Sequence, residues 1–173
     1  DAQGYYGLSQ EWLSLRDYMA EVVRVQEFLE KRSVLLAQFP DPPDLRNPEQ
    51  ARALDALAEL NRSEQYASDW GGGSPLAAFL AHDRERLEGA VAFYTNSLVQ
   101  ALRADVDPSP LRDELDAWQT DHPVLASMEE TALDLARRRI VNAIGAWKKG
   151  VQEKERIAAL LRALEIEVEH LSN

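Results

Sequence analysis

The chain has 173 residues, 45% of them apolar and 28% charged, with three histidines, no cysteine and a net charge of −11. That size suits one domain with a sizeable core that needs no metal or disulfide staple. The missing cysteine excludes disulfides, thiolate nucleophiles and Cys-ligated zinc. The acidity opposes nonspecific binding to nucleic acid or anionic lipid and favours solubility and basic partners.

Four dipeptides punctuate the chain: Asn47-Pro48, Ser74-Pro75, Ser109-Pro110 and His122-Pro123. Proline suits the first helical position, whose N–H has no partner inside the helix, and Asn47 and the two serines are suited to cap the neighbouring orphan N–H groups. Residues 1–8, with Gly4 and Gly7, read as an irregular arm, and Ser9 as the N-cap of a first helix running to Gln38. Trp12, Leu15, Met19, Val22, Leu29 and Leu36 form its a/d stripe, interrupted by Gln26 and Ser33 and widened by Val25, Phe28 and Leu35. Pro40, Pro42 and Pro43 make the following connection stiff and extended. A second helix starts at Pro48 and buries Leu54, Leu57, Leu60 and Tyr66.

A loop ending in Gly71, Gly72 and Gly73 leads to a third helix from Pro75 to Arg103. Its core face is Leu76, Leu80, Leu87, Val91, Tyr94, Leu98 and Leu102, with Gly89 either permitting a close helix contact or weakening the helix. A short fourth helix over 110–119 presents Leu111, Leu115 and Trp118 on one side. The last helical stretch begins near Pro123. Its stripe is Met128, Leu133, Ile140, Ile144, Trp147, Val151, Ile157, Leu161, Leu164, Val168 and Leu171, and Gly145 and Gly150 are the points where it would bend or break. Trp12, Leu98, Trp147 and Leu161 are expected in the core. No segment alternates as a strand does, and no apolar run approaches the roughly 18 residues of a membrane span.

The inventory for chemistry is thin. Glu167-x-x-His170 has the spacing of half a di-iron site, but neither His82 nor His122 has a glutamate three residues earlier to complete it. A haem held by Met19 and His170 competes with the plainer role of methionine as core filler. There is no Gly-x-Ser-x-Gly, and Asp121-His122 reads as a polar helix entry. The glycine run lacks the Gly-Lys-Ser/Thr ending of a P-loop. It reads as a hinge, and with Asp69 and Trp70 it is the one loop suited to contact a small ligand or partner. Arg137, Arg138, Arg139, Lys148, Lys149, Lys154 and Arg156 are expected to neutralise acids on neighbouring helices. Glu165, Glu167 and Glu169 read as a solvated face.

The outline of helical hairpins ending in a long helix resembles the extracytoplasmic four-helix sensor domains of bacterial receptors, and also many cytosolic adaptors. The expected fold is all-α: one domain over 1–173, a mostly antiparallel bundle of four main helices and one short helix, with a long C-terminal helix. The expected function is a non-enzymatic helical module acting by protein–protein contact or small-ligand sensing. The start at Asp1-Ala2-Gln3 is compatible with signal-peptide cleavage and leans toward a periplasmic or secreted setting. The alternatives are a cytosolic acidic adaptor or inhibitor meeting a basic partner, and a metal or haem protein using His170. No catalytic residue, metal or cofactor is assigned, nor any nucleic-acid partner or membrane insertion by this segment. Ile157, Leu161, Leu164, Val168 and Leu171 are the expected partner face, through another protein or a second copy, because an apolar stripe that outruns its bundle is poorly tolerated on a soluble monomer.

Overall fold

The computed structural model describes residues 2–38, 40, 42–68 and 76–171, with side chains apart from those of 2–9, 66–68 and 168–171. Among the described residues 85% are helical and none is in a strand, so the fold is all-α. In chain order the helices are α1 (Ala2–Leu36), α2 (Pro48–Ser68), α3 (Ala77–Gln100), α4 (Ser109–Asp121), α5 (Pro123–Ala126) and α6 (Glu130–Leu171). The chain divides into two compact units, residues 1–90 and 91–173, and α3 runs through the division.

In the first unit α1 packs on α2. Asn47 caps α2 as its sequence requires: its Oδ1 accepts the Glu49 N–H at 3.0 Å while Pro48 opens the helix. The preceding turn is held by Asp44, whose Oδ1 accepts the Arg46 N–H at 2.9 Å, and Leu45 is buried beside it. Phe28, Leu54, Leu57, Leu76 and Leu87 form the apolar interior. Each large aliphatic side chain fully buried there contributes roughly 1.5–3 kcal/mol.

The second unit holds the last turns of α3 with α4, α5 and α6, and α4 packs on both α5 and α6. Val91, Tyr94, Leu98, Leu115, Leu125, Leu133, Ile140 and Ile144 are buried. The Tyr94 and Trp118 rings are tilted at 34° with centroids 4.7 Å apart, and His122 lies 5.6 Å beyond Trp118. Tilted ring pairs at such separations add roughly 0.5–1.5 kcal/mol to the burial itself.

Four local expectations are corrected. The first helix does not wait for Ser9: residues 2–8 are helical, since Gly4 and Gly7 each cost about 1 kcal/mol in a helix without blocking its ladder. Ser109 is not the cap of α4. Pro108 takes the cap position, and the Asp107 carboxylate accepts the Ser109 N–H at 2.9 Å. The last helical stretch breaks at 127–129, not at its glycines. Ser127 Oγ donates to the Val124 carbonyl at 2.7 Å, α5 closes there, and α6 restarts at Glu130 and continues unbroken through Gly145 and Gly150. A Cβ built at Gly89, Gly145 or Gly150 meets nothing within 4 Å, so none of the three marks a close helix approach.

Candidate interaction surface

The two longest helices each carry an apolar stripe that is covered along only part of its length. In α1 the predicted a/d stripe is only part of the face that packs. Phe28 is buried, and Val25, Leu29, Arg32, Leu35 and Leu36 are half-buried around it. Toward the N-terminus the described part of the stripe is exposed. Trp12 is 69% exposed, and Leu13, Leu15, Tyr18, Met19, Val22 and Val23 are exposed with it. The expectation of Trp12 in the core is therefore overturned.

In α6 the stripe begins buried at Leu133, Ala136, Ile140 and Ile144, becomes half-buried at Trp147 and Val151, and then emerges. Ile157, Leu160, Leu161, Leu164 and Ile166 are exposed, with Leu161 at 56%. Leu161 is thus no core residue, and Trp147 is one only in part. The geometry explains the change: α4, the helix packed on α6, has 13 residues against 42, or about 20 Å against 63 Å. The side chains of Val168 and Leu171 lie outside the described residues, as do Asp69, Trp70, Gly71, Gly72 and Gly73 altogether.

The cations of α6 meet their expected neighbours only in part. Arg137 donates to Asp116 Oδ1 at 2.7 Å and to Gln119, both on α4, whereas Arg156 pairs with Glu153 on its own helix. Among the described residues these are the ion pairs of the cluster. Further along, a cleft of about 380 Å³ runs beside the helix, with Leu102, Arg103, Asp105, Trp147, Val151 and Lys154 in its lining.

Several buried polar groups were not singled out from sequence. Arg32 makes a two-pronged ion pair with Asp83, both bonds 2.6 Å, and its guanidinium lies 5.2 Å from the Phe79 ring centroid. The Asp83 hydrogen bonds hold the Arg32 pKa above its ordinary value. Arg24 bridges Glu21 and the buried Glu64. The signal was present in the spacing: Asp83 falls between Leu76, Leu80 and Leu87 on the core face of α3, and Asn61 and Glu64 continue the Leu54–Leu57 stripe of α2. A charge on an apolar stripe implies a buried partner. Asp121-His122 stands at a helix entry as expected, with His122 at the cap position of α5, and its ring is buried beside Trp118 one turn earlier.

Among the described residues no three His, Asp or Glu side chains cluster as metal ligands, and no helix is long and apolar enough to cross a membrane. Comparison with protein-family models, with curated proteins and with solved structures finds no match to this chain.

Proposed function

We propose that this chain is a non-enzymatic helical module that works by binding protein through the uncovered faces of α1 and α6. The observation that carries the reading is the exposure of seven large apolar residues in Trp12–Val23 on α1 and of five in Ile157–Ile166 on α6. Exposed apolar patches mark interaction sites. The test is site-specific photo-crosslinking in the cells that make the protein, with the photoreactive residue at Leu13 or Leu160. Both positions are expected to yield discrete protein adducts, and Lys149 on the polar face is expected to yield none. An absence of adducts from both apolar positions overturns the reading.

Small-ligand binding is the second reading, favoured by the cleft at Trp147. Its volume of about 380 Å³ lies within the roughly 300–1,000 Å³ of ordinary ligand sites, and it joins an aromatic face to the cations of Arg103 and Lys154. Those groups suit a small anionic molecule with a flat apolar body. Gly150→Leu fills this cleft. If the reading holds, quenching of tryptophan fluorescence by aromatic carboxylates is lost in that variant; equal quenching in both proteins removes it.

A further inference from the structure

We propose that the α1 stripe of one copy pairs antiparallel with the α6 stripe of a second copy. This rests on the reading of α1 and α6 as binding faces and names what covers them. The first argument is register. Trp12, Leu15, Met19, Val22 and Gln26 are spaced 3, 4, 3, 4, and positions 171, 168, 164, 161 and 157 taken in reverse are spaced 3, 4, 3, 4 as well. Antiparallel alignment therefore sets Met19 opposite Leu164, Val22 opposite Leu161 and Gln26 opposite Ile157, and continues in step to positions 168 and 171. A sustained 3–4 spacing on two helices is the pattern of a coiled-coil seam, and Gln26, which donates to Glu30 on its own helix at 3.0 Å, stands at its end.

The second argument is what flanks that seam. In the same alignment Arg16 faces Glu165, Val23 faces Ala158 and Tyr18 faces Glu167. One of these flanking pairs is of opposite charge, one is apolar and none is of like charge. Arg16 is free to serve, since its ion pair is with the adjacent Asp17 at 3.4 Å, both largely exposed. The other pairings of the same faces fit less well. α6 against itself sets Leu160 against Glu167 and leaves Glu165 facing an alanine, while α1 against itself, centred between Leu15 and Met19, sets Arg16 against Arg16.

The third argument is extent. Trp12, Leu15, Met19 and Val22 on α1 and Ile157, Leu161 and Leu164 on α6 are exposed on the single chain. The seam joins fifteen residues of one copy, 12–26, to fifteen of the other, 157–171. Net charges of −11 on each copy repel, but salt screens that term beyond about 8–10 Å and leaves the apolar seam intact.

Because the chain has no cysteine, single-cysteine variants give a clean test. Met19→Cys mixed with Leu164→Cys under mild oxidation is expected to form the two-chain disulfide at least tenfold faster than either variant with itself. It is also expected to do so tenfold faster than the off-register mixture of Leu15→Cys with Ile157→Cys. Arg16→Glu is expected to weaken the dimer about two- to fivefold in sedimentation equilibrium, and Glu165→Arg in the same chain to restore it. Preferential self-linking of Leu164→Cys overturns the proposal, as does a strict monomer at 500 µM. So does a Met19→Cys/Leu164→Cys double variant that closes its disulfide within one chain at high dilution. A strict monomer whose photo-crosslinks lead to a different protein defeats this pairing and leaves the proposed function standing; no adduct of any kind defeats both.

Discussion

The two halves of α6 share one helix and one apolar period and meet opposite fates. Leu133, Ile140 and Ile144 are buried, and Leu160, Leu161 and Leu164 are exposed. α1 repeats the contrast in reverse chain order, exposed at Trp12–Val23 and packed from Phe28 onward, and its neighbour α2 has 21 residues against 35. Periodicity thus specifies which face of a helix is apolar. Whether that face is covered depends on the length and placement of another element, which local spacing does not encode.

The largest expected effect tests the packed half of α1. Asp83 is fully buried, with its charge held by Arg32. Arg32→Ala leaves that carboxylate unpaired and is expected to destabilise the protein by about 3–5 kcal/mol. Replacing both partners, Arg32→Met with Asp83→Leu, is expected to recover most of the loss, as read by urea denaturation. A single variant within 1 kcal/mol of wild type would show that the pair is not buried in solution.

The comparison within α6 is sharpened by one pair of truncations. Leu133→Ala is expected to cost about 2–5 kcal/mol and Leu161→Ala less than about 0.5 kcal/mol, measured at a concentration where the protein is a monomer. Equal losses would break the distinction between the halves. A loss at Leu161 that grows with protein concentration would locate it at an interface.

The parts of this fold legible in the sequence were those controlled by local chemistry. Asn47-Pro48 opens α2 because a side-chain acceptor and a fixed φ act within two residues. The core face of α3 held at Leu87, Val91, Tyr94 and Leu98. The break before α6 was also written locally, at Ser127-x-x-Glu130, which has the spacing of a capping box although the Ser127 hydroxyl turns back to Val124. Gly145 and Gly150, where a bend was expected, lie inside an unbroken helix. The cover over Trp12 and Leu161 was not legible, because it is a question of which neighbour reaches them. Of the candidate contact residues, Ile157 and Leu164 were placed on an open face by the overhang argument and are exposed, whereas Leu161 was expected both there and in the core and is exposed.

Those glycines give the next test, at the point where cover runs out. Neither Gly145 nor Gly150 has a neighbour within 4 Å of a built Cβ. Gly145→Ala is therefore expected to stabilise α6 by about 0.5–1 kcal/mol, through helix propensity alone. Destabilisation on thermal melting would mean that the helix bends or is closely approached there, and that the covered and uncovered halves are not one continuous rod.

The smallest effect concerns the loop beside the same stretch of α6. The Ser109 N–H, with the Ser109 side chain, holds the Asp107 carboxyl below its ordinary pKa, and Lys148 and Arg112 add to the same direction. A folded pKa below the unfolded value means that the contribution to stability is present above the ordinary carboxylate range. It is lost as pH falls through the folded pKa. Asp107 is fully exposed, so salt and solvent screen the effect and the readout must be local. In an NMR titration the Ser109 amide is expected to shift with a midpoint below that of a free aspartate, and α4 to fray at its first turn as the carboxylate protonates. Asp107→Asn keeps an acceptor oxygen and removes the charge, so it is expected to retain the turn and abolish the titration. Lys148→Gln is expected to raise the midpoint slightly, which would place the loop against α6 just before its stripe opens to solvent. A Ser109 amide that does not respond to pH would detach the start of α4 from Asp107, and an unchanged midpoint in Lys148→Gln would detach the loop from α6.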